Sequence, residues 1–188
     1  MGLDKRIGSR FLRAGPAYGG SCFPKDTKAI ITTAKKFNTD LSVIESVIKS
    51  NEKRTSLLLK RIYDLLSEKI KNKKICFLGV TFKANTDDMR DSSCLKMIPV
   101  LIKKGAKINY FDPSGEKNEF KRLKNVKFSQ NVKSAIKDSD LIIIHTEWND
   151  FKSINFKRDV QNKKFILFDM RNIYSKSKMK EQKIKYFN

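Results

Sequence analysis

Leu141-Ile142-Ile143-Ile144 is the clearest buried strand in this chain of 188 residues. An unbroken apolar run of this length is typical of a parallel strand that is covered on both faces. Ile75-Cys76-Phe77-Leu78-Gly79-Val80, which lysines flank, has the same character, and so has Phe165-Ile166-Leu167-Phe168, which ends at Asp169. A further strand, Lys107 to Phe111, follows Gly105, the expected end of a helix.

Helical patterns separate these strands, at Leu95–Ile102 and more weakly around Phe120–Leu123 and Val132–Ile136. Strands that alternate with helices predict an α/β fold, a doubly wound parallel sheet of Rossmann-like type with right-handed crossovers. We expect this domain to occupy residues 73–188. In such sheets ligands bind beyond the carboxyl ends of the strands, so the polar residues there need inspection: Lys83, Asp112, Glu147 and Arg171.

Residues 1–72 have the pattern of helix and loop. After the breakers Gly15-Pro16-Ala17-Tyr18-Gly19-Gly20, Pro24 can occupy the first turn of a helix whose apolar stripe would be Ala29, Ile30, Ala34 and Phe37. A longer helical pattern runs from Leu41 to Leu66, with Ser42 and Glu45 at the spacing of a capping box. Its charged middle, residues 51–54, is either a solvated face or a break.

Composition limits the possible functions. The formal net charge is +21, spread as lysine along the whole chain, which indicates either a solvated surface or attraction to a phosphorylated ligand. No basic face interleaved with aromatic residues is present, so we expect no nucleic-acid partner. No apolar run approaches the roughly 20 residues of a membrane span, and we expect no membrane partner.

Three cysteines argue for a reducing, cytoplasmic location. The single histidine leaves no metal site built on several histidines.

Cys22 is the first candidate for chemistry. Glycines before it let a ligand approach the backbone, and a helix that begins after it would direct free N–H groups towards the sulfur. With Lys25 as a nearby cation, these features favour the thiolate. Asp26 lies one helical turn away and could handle a proton. Cys22 is therefore either a nucleophile or a structural cysteine in a turn.

The other cysteines and the histidine have plainer interpretations. Cys76 lies in an apolar strand and Cys94 in a helix, and both are expected to be small buried hydrophobic residues. His145 ends a buried strand, where a hydrogen-bonded histidine is expected rather than a catalytic base.

Residues 79–90 are the second candidate. They follow the first strand of the sheet and precede a helix, which is where phosphate-binding loops lie, although they lack the Gly-x-Gly-x-x-Gly pattern. Lys83 and Arg90 supply cations, which Asp87 and Asp88 could hold in place. The alternative is a charged surface loop.

At these two stretches the chain resembles a known family. Gly15 to Thr27 is similar to the active-site segment of the UDP-glucose 6-dehydrogenases, within the UDP-glucose/GDP-mannose dehydrogenase family. Gly79 to Arg90 is similar to the start of their C-terminal UDP-binding domain, and Phe168-Asp169-Met170-Arg171 to a later stretch. The resemblance covers essentially the whole chain.

The resemblance implies a role for each matched residue. Cys22 matches the catalytic nucleophile, and Asp26 matches the carboxylate that assists hydrolysis. Lys25 and Arg90 match positions that touch NAD. The remaining matches are to residues that bind the UDP-sugar: Arg6, which reaches a neighbouring subunit in some members, Phe11, Leu12, Arg13, Ala14, Gly15, Gly19, Lys83 and Arg171.

The implied reaction is a two-step oxidation of UDP-glucose to UDP-glucuronate by NAD. The first hydride transfer gives an aldehyde, to which the thiolate of Cys22 adds. A second hydride transfer gives a thioester, which water hydrolyses. Covalent capture divides a four-electron oxidation into easier steps.

The chain departs from the family in two ways. It contains no segment like the family's N-terminal NAD-binding domain, and it has Ala17 where glycine is usual, which raises the question of a strained backbone angle. We therefore expect a C-terminal portion that is inactive alone, with 1–72 as a helical central and dimerisation segment carrying the cysteine. The alternatives are a non-catalytic UDP-sugar-binding fragment, one half of a split enzyme that pairs with a separate NAD-domain protein, and a GDP-mannose dehydrogenase relative. A homo-oligomer is expected from the family.

Overall fold

The computed structural model describes the backbone of residues 1–188 and the side chains of all of them except Arg10 and Phe11. The predicted contact of Phe11 with a UDP-sugar therefore lies outside the described residues.

One six-stranded parallel sheet forms the second part of the chain. Its strand order is β3-β2-β1-β4-β5-β6, which is the order of a doubly wound fold, and the fold class predicted from the sequence is confirmed. The strands are β1 (Lys74–Leu78), β2 (Lys107–Phe111), β3 (Val126–Phe128), β4 (Leu141–Ile144), β5 (Ile166–Asp169) and β6 (Lys185–Phe187).

Helices precede the sheet and connect its strands. They are α1 (Phe23–Lys36), α2 (Ser42–Leu65), α3 (Cys94–Lys103), α4 (Asn118–Lys121), α5 (Val132–Ile136), α6 (Phe156–Asp159) and α7 (Lys176–Glu181). Short 3-10 helices cover Ser9–Leu12 and Asn149–Ser153. None of the helices described has both the length and the apolar character that crossing a membrane requires.

The sheet separates two apolar clusters, because successive side chains of a strand point to opposite faces. Ile75 and Phe77 of β1 face the cluster that contains α3 and the second half of α2. Cys76 and Leu78 face the cluster covered by α5, α6 and α7. Leu58 and Ile62 are buried in the first cluster, so the end of α2 is fixed to the α/β core.

One open alternative for the helical segment is decided, and two expectations for it need correction. Residues 51–54 do not break the helix, since α2 is continuous across them. Ser42 is not a cap: the N-cap residue is Leu41, and it makes no side-chain capping bond. On α1 only Ala34 of the expected stripe is buried, and Phe37 is 75% exposed. The sequence periodicity located the helix correctly, but nothing described covers that face.

Candidate functional site

The cysteine loop, residues 15–21, is held against the middle of α2. The side chain of Asn51 accepts a hydrogen bond from the N–H of Tyr18 (3.0 Å) and donates one to its carbonyl oxygen (3.2 Å). Arg54, one turn further along, donates from Nε to the carbonyl oxygen of Pro16 (3.1 Å). These bonds satisfy loop backbone groups that would otherwise be left without partners where water is partly excluded.

The same loop touches residues 79–92, which we call the β1 loop. The N–H of Gly20 donates to the carbonyl oxygen of Arg90 at 2.8 Å. A Cβ atom on Gly19 would lie 2.6 Å from the carbonyl oxygen of Asp91, and one on Gly20, whose φ is +86°, would lie 2.8 Å from the ring of Phe82. The double glycine is needed because any side chain there would separate the two loops. Ala17 is not among the residues with positive φ, so the departure from glycine causes no strain.

Cys22 lies where α1 begins, and its side chain is exposed. Its carbonyl oxygen accepts a hydrogen bond from the N–H of Asp26 (2.8 Å), and the hydroxyl of Ser21 is 3.5 Å from its sulfur. The carboxylate of Asp26 is 66% exposed and forms an ion pair with Lys25 at 3.5 Å. Water therefore reaches both the sulfur and the carboxylate.

Arg90 and Asp88 form a bidentate pair beside the cysteine. Arg90 donates to both carboxylate oxygens of Asp88, with Nε–Oδ1 2.9 Å and Nη2–Oδ2 2.8 Å. These hydrogen bonds lower the pKa of Asp88 and raise the pKa of Arg90. Cys22 is a smaller cause of the raised pKa of Arg90, so the two side chains lie near each other. Asp88, rather than Asp87, thus holds the arginine.

Asp112, at the end of β2, fixes the first part of the β1 loop. Its Oδ2 accepts hydrogen bonds from the N–H groups of Val80 (2.8 Å) and Thr81 (3.3 Å). The buried ammonium of Lys117 lies 4.0 Å from its other oxygen. In dinucleotide-binding sheets the carboxylate at this place receives a ribose hydroxyl. Here that carboxylate is 1% exposed and already engaged, so it is closed to a ribose.

Arg171, just beyond β5, connects the sheet to the cysteine loop. Its N–H donates to Oδ1 of Asp169 (3.0 Å), and its guanidinium forms an ion pair with Glu147. A Cβ atom on Gly15 would collide with that guanidinium, so a side chain there would displace the end of Arg171. The Nε of Arg171 is buried and makes no hydrogen bond with the described residues.

A cleft runs between the two loops. One cavity of about 890 Å³ is lined by Arg13, Ala14, Lys83, Asn85, Glu147, Lys152 and Arg171, with neighbouring residues. A second, of about 580 Å³, is lined by Arg13, Gly15, Gly19, Arg54, Phe82, Lys83 and Arg171, with neighbouring residues. The two share Arg13, Lys83 and Arg171, so they are parts of one cationic cleft that extends from the carboxyl edge of the sheet to the cysteine loop.

Most of the predicted residues lie at this cleft, but some do not. Arg13, Ala14, Gly15, Gly19, Lys83 and Arg171 line it. Cys22 is three residues past Gly19 and is not itself a lining residue in the part of the chain described. Leu12 does not line it either, and Arg6 is 88% exposed and paired with Asp4.

The sequence interpretation missed Asn51 and Arg54. Both lie in the segment that was interpreted as a solvated face or a break. Their spacing of three residues, which places them on one face of a continuous helix, was the available signal. Glu147 was noted only as a polar residue after a strand, and its pairing with Arg171 depends on the adjacency of β4 and β5.

Comparison with known proteins identifies the family of the chain. Residues 76–176 match the UDP binding domain of the UDP-glucose/GDP-mannose dehydrogenase family, and residues 1–53 match the central domain of the same family. The chain belongs to this family. The resemblance inferred from the cysteine segment and the β1 loop is thus confirmed.

Individual family members are similar along the whole chain. A UDP-glucose 6-dehydrogenase from Rhizobium meliloti is 38% identical over 187 residues, which are 99% of this chain and 43% of that protein. One from Rickettsia bellii is 41% identical over 191 residues, 100% of this chain and 44% of that protein. The structure of a UDP-glucose dehydrogenase from Pyrobaculum islandicum superposes with a TM-score of 0.81 at 28% identity, covering 100% of this chain and 41% of that one. The chain therefore spans less than half the length of the relatives it matches.

Proposed function

We propose that these 188 residues form the UDP-sugar-binding and nucleophile-bearing part of a UDP-glucose 6-dehydrogenase. The observation that carries this proposal is the cationic cleft, which joins Lys83 and Arg171 of the α/β half to the glycines of the cysteine loop. The hydrogen bond from Gly20 to Arg90 keeps the two sides together.

The charges of the cleft suit a nucleoside diphosphate. Arg13, Lys83 and Arg171 offer three cations to a diphosphate, and guanidinium groups can bind its oxygens in a bidentate manner. Glu147 neutralises part of this charge and holds Arg171 in place. A diphosphate bound between Lys83 and Arg171 would lie in the same cleft as Gly15 and Gly19 of the cysteine loop.

Cys22 would then act as the nucleophile. Its thiolate adds to the carbon of the C6 aldehyde, and the former carbonyl oxygen takes a proton. With a hydride acceptor bound beside it, that carbon would lose a hydride and its hydroxyl would lose the proton to water, which would leave a thioester. Water attacks the thioester, the C–S bond breaks, and the carboxylate of UDP-glucuronate leaves as the thiol is regenerated. Asp26, which is exposed to solvent, would accept the proton of the attacking water.

NAD is the cofactor that the family resemblance implies, and when bound it supplies the hydride acceptor. Lys25 and Arg90 would hold it, since both are exposed cations near Cys22 and suit its phosphates. The engaged carboxylate of Asp112 does not suit its ribose. With so few contacts for NAD among the described residues, we expect the 188 residues to bind UDP-glucose without steady turnover.

Isothermal titration calorimetry tests the binding. UDP-glucose should bind with a measurable heat, and Lys83→Ala and Arg171→Ala should each weaken binding about tenfold, the loss of one charge-assisted contact. Lys104→Ala, which changes an exposed lysine at the end of α3, is the control. No heat at millimolar UDP-glucose would contradict the proposal, and tighter binding of GDP-mannose would favour that branch of the family.

We also propose that the functional division lies near residue 72, with 1–72 as the cysteine-bearing dimerisation segment and 73–188 as the UDP-binding domain. The uncovered apolar side chains of the helical segment support self-association: Ile30, Phe37, Val43 and Leu57. Light scattering would test it, and a monomer at all concentrations would contradict it.

The three unpaired cysteines are compatible with the expected cytoplasmic location.

A further inference from the structure

His145 is the only histidine of the chain, and it lies buried directly after β4. Its Nε2 is 2.7 Å from the hydroxyl of Ser93, and its Nδ1 is 3.1 Å from the hydroxyl of Thr146. Thr146 in turn donates its hydroxyl proton to the carbonyl oxygen of Thr81 at 2.8 Å. These four residues form one continuous chain of buried hydrogen bonds, and the chemistry described above uses none of them.

The direction of each bond follows from the number of protons available. A hydroxyl has one proton, and Thr146 gives it to Thr81, so Thr146 can only accept from His145. The Nδ1 of His145 therefore carries a proton. Burial, with a smaller contribution from the charge of Arg171, lowers the pKa of His145 to about 3. The ring is thus neutral, its Nε2 is an acceptor, and Ser93 is the donor to it.

Both ends of this chain lie at parts of the β1 loop. Ser93 is at the start of α3, immediately after the loop, and its hydroxyl bonds to His145 instead of capping the helix. Thr81 lies two residues before Lys83, and its own hydroxyl donates to the carbonyl oxygen of Lys83 at 2.9 Å. The backbone that carries Lys83 is therefore connected to β4 through His145.

The packing around Thr146 leaves little room for an alternative arrangement. Gly79, where the β1 loop begins, has a φ of +74°, and a Cβ atom on it would lie 2.5 Å from Cβ of Thr146. Thr146 thus contacts both Gly79 and the carbonyl of Thr81. A side chain of the same shape without a hydroxyl would keep the contact with Gly79 and lose the hydrogen bond to the carbonyl oxygen of Thr81.

We propose that His145, as the neutral Nδ1–H tautomer, is a positioning residue that fixes the Lys83 segment of the β1 loop for the diphosphate. This inference rests on the proposed function, because it assigns His145 a role in UDP-sugar binding. The ring is buried and does not line the cleft. It acts by joining Ser93 and Thr146, and so holds the loop at both ends.

The experiment combines nitrogen NMR with binding of UDP. Since the chain has one histidine, a long-range ¹H–¹⁵N spectrum should contain one imidazole, with a protonated Nδ1 and an unprotonated Nε2. Thr146→Val, which keeps the shape, should weaken UDP binding about tenfold, as expected for buried groups left without partners. Thr146→Ser should restore affinity to within about twofold of wild type.

Two further variants make the outcome decisive. Ser139→Ala removes a hydroxyl of similar burial before β4, at the opposite edge of the sheet, and should leave UDP affinity unchanged. Ser93→Ala removes the donor to Nε2 and should weaken binding like Thr146→Val, which provides a second test if the valine variant does not fold.

Each result can be assigned to one proposal. A histidine protonated on Nε2, or a folded Thr146→Val protein that binds UDP as wild type does, would overturn the positioning role. If wild type binds no UDP, the proposed function fails, and the positioning role is judged by amide hydrogen exchange at residues 80–83. Faster exchange there in Thr146→Val than in Thr146→Ser supports it, and equal exchange overturns it.

Discussion

The N–H of Gly20 donates a hydrogen bond to the carbonyl oxygen of Arg90 at 2.8 Å. These residues are far apart in the sequence. Gly20 belongs to the cysteine loop, which Cys22 follows, and Arg90 belongs to the β1 loop. Because the bond joins backbone to backbone, it fixes the spacing between the cysteine loop and the β1 loop, whatever the side chains of Cys22 and Arg90 do.

Gly20→Ala should separate the two loops. Alanine must adopt a φ near +86° and place its methyl group against the ring of Phe82, so we expect a loss of about 2–3 kcal/mol in the free energy of unfolding. UDP affinity should fall as well. Urea unfolding and calorimetry measure the two effects.

Gly115→Ala is the matched control. Gly115 also has a positive φ, +93°, but nothing lies within 4 Å of the Cβ position. Its free energy of unfolding should fall by only the cost of placing alanine at a positive φ, about 1 kcal/mol. Its UDP affinity should not change. Equal losses in the two variants would mean that the contact with Phe82 has no energetic importance.

Thiol labelling should distinguish Cys22 from the other cysteines. Cys22 is exposed, whereas burial raises the pKa of Cys76 and of Cys94 well above the ordinary value for a thiol. Iodoacetamide should therefore modify one thiol per folded chain and all three in denaturant, as mass spectrometry would record. In Cys22→Ser the folded protein should take up none. Rapid labelling of Cys76 in the folded state would contradict the buried sheet described here.

The stability of the protein should decrease in mild acid partly because of His145. Its folded pKa, about 3, lies below the ordinary 6.5, so between these values the unfolded chain binds more protons. This contribution is full above about pH 6.5 and is lost as the pH falls, at up to about 1.4 kcal/mol per pH unit. Carboxylates affect wild type and His145→Gln alike, so the variant should have the flatter profile below pH 6.5. Identical profiles would contradict the low pKa.

Asp112→Asn should be strongly destabilising. It leaves the buried ammonium of Lys117 without a carboxylate and weakens the acceptor for the N–H groups of Val80 and Thr81. Removal of one partner of a buried ion pair costs about 3–5 kcal/mol, which urea unfolding would measure.

The double variant Asp112→Asn/Lys117→Met tests the cause. If the unpaired ammonium is responsible, removing it should recover much of the lost stability. If the double variant is as unstable as Asp112→Asn, the loss comes from the backbone N–H groups of the β1 loop instead.

The long buried strands were predictable from the sequence because burial on both faces leaves a continuous apolar run. The predicted Leu141–Ile144 agrees with β4, in which every residue is buried. The predicted Lys107 to Phe111 agrees with β2, although buried and more exposed positions alternate there. The edge strands β3 and β6 were missed. Each has three residues and begins or centres on lysine, so an apolar pattern has no room to develop.

The site was predictable where one short segment contains the chemistry, as in the cysteine loop and the β1 loop. It was not predictable where the geometry of the candidate site depends on residues distant in sequence. No local sequence pattern predicts the hydrogen bonds from Asn51 and Arg54 to the cysteine loop. The same holds for the hydrogen-bonded chain from Ser93 through His145 to Thr81. Those contacts exist only because the fold brings separate segments together.

Helix α2 imposes a constraint on length rather than on composition. Asn51 and Arg54 form hydrogen bonds to the cysteine loop. Farther along the same helix, Leu58 and Ile62 pack in the apolar cluster of the sheet. Inserting or deleting one residue between Arg54 and Leu58 would rotate the hydrogen-bonding pair by about 100° around the helix axis relative to the buried pair. Ser56 faces solvent and can be exchanged freely, so across homologous genes this position should tolerate many substitutions, whereas the stretch as a whole should tolerate no gaps.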